Sequence, residues 1–217
     1  MSKVVIVALL LALLPMPAQA QPSTIYVETI VVNTPARVWS QQQTDYAITQ
    51  VNDALGWWQA RPLGTARPLG FVVGSPVVVS VAYEPTQMSV AETVQFLETV
   101  VLGRNTLAYA DALAERQGTD LAFTVFLVGG QSPYWIGFAP ASSVVVTYEP
   151  QLYLASTIAH EIGHVLGAGN HYDDPACIMG DAFTAYQAGL LSSVASIEMG
   201  WGPRLSVYVP SVGGASE

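Results

Sequence analysis

Hydrophobic residues change their period several times along this chain, and each change marks an element. Thr24–Asn33 (TIYVETIVVN) is rich in β-branched and apolar residues and predicts a first strand. Over 44–59 the apolar positions Ala47, Ile48, Val51, Ala54, Leu55 and Trp58 recur every three or four residues, the spacing of a helix with one buried face. Trp57 and Trp58 are expected as core anchors of that helix. Residues 61–70 hold two Arg-Pro-Leu-Gly copies, at 61–64 and 67–70, and read as a loop whose repeat is too short for a repeat fold. Phe71–Tyr83 predicts a second strand region, with a hairpin expected about Gly74-Ser75-Pro76.

Ser89-Val90-Ala91-Glu92 has the form of a capping box, in which the serine and the glutamate satisfy each other's backbone N–H groups at a helix start. The helical stretch it opens runs to about Gln117, with a break expected near Gly103 and a stop at Gly118. Leu121–Val128 is an unbroken apolar run, the pattern of a strand buried on both faces. An aromatic and glycine-rich link, Tyr134-Trp135-Ile136-Gly137-Phe138, leads to a strand over Val144–Tyr148. Pro150 suits the first turn of a helix extending to Leu166. Tyr186–Met199 predicts a last helix, and 203–217 a short tail. No linker separates two folding units. The expectation is one α+β domain, a mixed twisted sheet with helices, cleft between an upper part and a smaller C-terminal part.

The helix over 150–166 carries the chemistry. All three histidines of the chain lie in the stretch His160-Glu161-Ile162-Gly163-His164-Val165-Leu166-Gly167-Ala168-Gly169-Asn170-His171. His160 and His164 are four apart, so both rings leave the same helix face and can address one metal ion. Glu161 is offset by about 100° around the helix and can reach a water on that metal without being a ligand itself. Gly167 stands where the helix must end, and the chain then turns to deliver His171. Three neutral imidazoles leave a tetrahedral Zn²⁺ one open position, as in catalytic rather than structural sites. A His pair four apart is by itself common on protein surfaces. The added glycine and third histidine are what point to zinc.

This stretch resembles the extended motif H-E-x-x-H-x-x-G-x-x-H of the metzincin metallopeptidases. Cys177-Ile178-Met179-Gly180 then looks like their Met-turn, with Met179 as an apolar floor beneath the ligands. The run from Asn170 to Met179 is most similar to the reprolysin and matrixin branches. The resemblance implies a zincin-like fold and a secreted zinc endopeptidase with His160, His164 and His171 as ligands of one Zn²⁺ and Glu161 as general base. It also implies that a substrate peptide pairs with an edge strand around 137–148. Residues 180–190, with Ala182, Phe183, Ala185 and Tyr186, would then line an apolar pocket for the side chain past the cut bond. There are departures. Asp181 stands where astacin- and serralysin-like enzymes carry a tyrosine, so no tyrosine switch is carried over. Tyr172 follows the third ligand, where neither similar branch has it. Reprolysin disulfides cannot form, since Cys177 is the only cysteine. Lying after the motif, Cys177 is not the propeptide cysteine of matrixins and reads as a small buried hydrophobe.

Composition adds a compartment and removes partners. Residues 1–20 read as a secretory signal: Lys3, an apolar run from Val4 to Leu14, and the small-residue site Ala18-Gln19-Ala20. The run is too short to cross a bilayer, which takes about 20 residues. The domain proper is then 21–217, secreted or periplasmic, monomeric and without stable membrane insertion. It carries six Arg, no Lys and 16 acidic residues, a net charge near −10. Nucleic acid is therefore not an expected partner, since it requires clustered cations. Asp173, Asp174 and Asp181 form no recognised calcium loop and read as solvated turn residues, leaving Ca²⁺ without support. Two other functions fit the same motif: a secreted zinc protein that binds a partner in its cleft, and a cell-wall peptide or amide hydrolase. Glu161 speaks against the first, because binding alone needs no base beside the metal.

Overall fold

The computed structural model describes residues 24–60, 69–148, 154–169, 177–180 and 182–188. The expected signal, most of the loop at 61–70, Pro150 and the tail at 203–217 lie outside them. β1 (Thr24–Asn33), rich in β-branched residues, is buried along nearly its whole length, Glu28 and Thr29 included. It pairs in parallel with β4 (Leu121–Gly129), which pairs in parallel with β6 (Ser143–Tyr148). β5 (Gly137–Phe138) runs antiparallel to β6 and forms one edge of the sheet.

The opposite edge departs from expectation. β2 (Gly70–Val73) and β3 (Val77–Ser80) do not form a hairpin with each other; both lie parallel to β1. Val27 pairs with Val73 and Ile30 with Val77, so this edge carries one residue more than β1 over the same span. Gly74-Ser75-Pro76 is therefore a bulge in a broken edge strand, not a reversal. Val72, Val73, Val77 and Val78 on this edge are each 40–55% exposed.

Helices cover both faces. α1 (Gln41–Gln59) opens on a capping box: Gln43 N donates to Ser40 Oγ at 3.3 Å and Ser40 N donates to Gln43 Oε1 at 3.0 Å. It starts three residues before the apolar periodicity does, because capping needs no apolar residue. α1 and α4 (Leu154–Val165) lie on one face, packing Val51, Leu55, Trp58, Ile158 and Ile162 against Val27, Val125 and Val146. On the other face lie α2 (Val90–Phe96), which widens into a π-turn over Leu97–Leu102, and α3 (Thr106–Gln117). The expected break and stop are there, at Gly103 and Gly118, both with positive φ. Glu28 is buried in β1 on this side, accepting from Tyr109 Oη at 2.7 Å with Arg116 of α3 at 3.8 Å. α5 (Ala182–Ala188) follows the turn at Cys177–Gly180, four residues ahead of the expected start at Tyr186. The described residues make an α+β domain with a mixed sheet and helices, and among them no helix is long and apolar enough to cross a membrane.

Candidate metal centre

α4 presents its histidines on the side away from the core. Leu154, Ile158 and Ile162 are buried, while His160 and His164 are half-buried one turn apart. Their rings stand 4.9 Å apart, nearly perpendicular at 84°. Ligand atoms from His160, Glu161 and His164 all lie within 4.8 Å of one another, close enough to share one cation.

Each ring is held by a backbone carbonyl from outside its own turn. His160 Nδ1 donates to Ile178 O at 2.7 Å, and His164 Nδ1 donates to Ala168 O at 2.8 Å. A carbonyl can only accept, so the proton of each neutral ring is on Nδ1 and Nε2 is the unprotonated nitrogen. This is the outer-shell arrangement that aims an imidazole at a metal and raises its basicity. Both carbonyls come from tight turns. Ala168 follows a helix stop in which Gly167 has φ +100°, Gly167 N donates to His164 O and Ala168 N donates to Gly163 O, each at 2.9 Å. Ile178 sits in a turn closed by Gly180 N donating to Cys177 O at 2.8 Å.

That second turn packs beneath α4. Cys177, Ile178 and Met179 are fully buried. A Cβ on Gly163 would run into the Met179 sulfur and lie 3.4 Å from Trp58 Cζ2, so the floor touches the helix where it has no side chain. Trp58 Nε1 donates to Ala159 O, next to His160, and Trp57 Nε1 donates to Tyr186 O of α5, both at 2.9 Å.

The Glu161 carboxyl group lies between the two histidine rings and the sheet edge, and the residue is 6% exposed. Burial pushes its carboxyl up to about 8, a value that a cation alongside would lower again. Gly137 of β5 comes against it: a Cβ there would stand 3.2 Å from Glu161 Oε1. His171, Tyr172, Asp173, Asp174 and Asp181 lie outside the described residues. Of the residues expected around the pocket, Ala185 and Tyr186 are packed against the core. Ala185 is fully buried in the core, and Tyr186 stacks on Trp57 at 5.9 Å. Sequence reasoning missed the carbonyls of Ile178 and Ala168, which every residue type possesses, and Gly137, whose role depends on a long-range approach. Two imidazoles anchored through Nδ1, with a carboxyl group beside them, form a group that could hold one metal ion.

No protein-family profile and no curated protein matches this chain. Among solved structures, a chain in a "structure of a chaperone-substrate complex" aligns at 13% identity with a TM-score of 0.47, over 82% of this chain and 34% of its own length. The present chain thus spans about a third of that molecule, and a likeness this distant says nothing about activity.

Proposed function

We propose that the chain is an exported zinc-dependent endopeptidase with a metzincin-like, zincin-type fold. The observation that carries this reading is the convergence of His160, His164 and Glu161 within 4.8 Å, both rings anchored through Nδ1. His160 and His164 would hold the metal, with His171 as third ligand by its spacing in the motif. When bound, zinc supplies Lewis acidity, lowering the pKa of a water to about 7 and polarising a carbonyl. Glu161 takes the proton of the attacking water and passes it to the departing amine. Its burial keeps bulk water from competing for that proton, and the carbonyls of Ile178 and Ala168 keep the rings from turning. Met179 closes the site from below. β5, at the sheet edge beside Glu161, would align an extended peptide.

The test measures zinc content and cleavage of casein and quenched peptides for wild type and Glu161→Ala. One zinc per chain is expected in both proteins, with activity lower by about 10²–10⁴-fold or more in the variant. A chelator should abolish cleavage and lower the melting temperature, since the metal binds the folded state. Equal activity in the two proteins would refute the mechanism. Zinc without cleavage of any peptide would favour a binding protein, and cleavage of wall peptides alone a wall hydrolase.

A further inference from the structure

We propose that Gly137 is a positioning residue for Glu161: the bare α-carbon of the edge strand sets where that carboxylate can stand. The kinetic consequence rests on the peptidase reading; the geometry does not. A Cβ at residue 137 would lie 2.9 Å from Thr157 Cγ2, 3.2 Å from Glu161 Oε1 and 3.2 Å from Val146 Cγ1. Thr157 and Glu161 are four apart on α4 and share one face of it, the face turned to β5. A methyl group at Gly137 therefore cannot enter unless a neighbour moves.

The neighbours differ in how far they can give. Val146 is fully buried in the core, in β6, where it pairs with Leu127 of β4 and with Gly137 of β5. The chain is held on both sides of Gly137. Ile136 O accepts from Thr147 N at 2.9 Å, and Phe138 packs edge-on against Trp135 at 5.0 Å, whose Nε1 donates to Met88 O at 3.1 Å. Thr157 has one short side chain on a packed helix. The Thr157 methyl, at the shortest of the three distances, turns the incoming methyl group toward Glu161, whose carboxylate stands at the end of three rotatable bonds and is displaced. A general base must stay within about 2.6–3.2 Å of the proton it takes, and a misplacement of about 1 Å costs on the order of 10² in rate. Glycine at residue 137 thus lets a sheet edge lie close enough to confine the base.

The experiment compares wild type, Gly137→Ala and Gly137→Ala/Thr157→Ser by steady-state kinetics, zinc content and crystal structures. Gly137→Ala should bind zinc normally and lose about 10–100-fold in kcat, with KM changed less than threefold and the Glu161 carboxylate visibly displaced. Thr157→Ser removes the methyl at the tightest contact, so the double variant should fold even where the single one is impaired. It should return the carboxylate toward its place and recover most of kcat. A Gly137→Ala structure with Glu161 unmoved, a wild-type kcat, or a fall in KM and kcat alike without rescue would overturn the inference. If wild type cleaves no peptide yet the carboxylate still moves in Gly137→Ala and returns in the double variant, the positioning stands and the peptidase reading falls.

Discussion

Gly163 is the residue on which the floor of the site depends. The Met179 sulfur occupies the space where a side chain at 163 would begin, with the Trp58 ring beside it. Gly163→Ala should therefore overpack the floor, costing about 1–3 kcal/mol. Because the next residue is His164, zinc affinity should fall with it; thermal melts and a competitive metal titration check both effects. Helix propensity alone predicts the opposite sign, since alanine is favoured over glycine in a helix by about 1 kcal/mol. At this scale the sequence is partly legible. His160, Glu161 and His164 can be grouped from spacing because spacing on a helix is direction in space. Gly163 falls at an undefined position of the motif, and only the distant Met179 gives it a requirement.

The two indoles of α1 connect elements that the chain places far apart. Trp58 bonds to α4 one residue before His160, Trp57 to α5 beyond the turn, and their rings meet edge-on at 5.0 Å. Trp58→Ala should cost about 3–5 kcal/mol through the cavity it leaves. Trp58→Phe should keep most of that stability yet lose the bond to Ala159 O, so its zinc affinity should fall more than its melting temperature. Equal losses in both variants would assign Trp58 to packing alone. Strands are legible where both faces are buried: β1 by its density of β-branched residues and β4 by a continuous apolar run, neither of which needs a partner to be recognised. The bulge at Gly74-Ser75-Pro76 is not: glycine, serine and proline serve a reversal and a bulge equally well. Only pairing to β1 separates the two. The start of α1 was missed for a simpler reason, that its signal is polar, Ser40 with Gln43, and precedes the periodicity.

Across the whole molecule, α3 is tied to the sheet by an ionisable pair. Burial first, and then the Glu28 carboxylate beside it, raise the Tyr109 phenol from 10.0 to about 12. Between those values the folded protein keeps a proton that the unfolded chain releases, so stability falls as pH rises through that window. Below pH 10 this group contributes no slope. Urea melts at pH 9 and pH 11 should show the decline, and Tyr109→Phe should reduce it. The opposite side of the sheet has a different vulnerability. From Leu69 to Tyr83 the chain has no Asp, Glu, Lys or Arg, and its valines stand open on the broken edge. Proteins commonly guard such edges with charge; here only the bulge and Pro76 interrupt the row of backbone groups. When heat loosens the edge, strands from separate molecules can join there, and turbidity should follow unfolding despite the strongly acidic composition. Val72→Lys or Val78→Lys should delay that turbidity while leaving the melting temperature nearly unchanged. How concentrated a solution of this protein can be kept would then be decided at the edge of the sheet opposite its histidines.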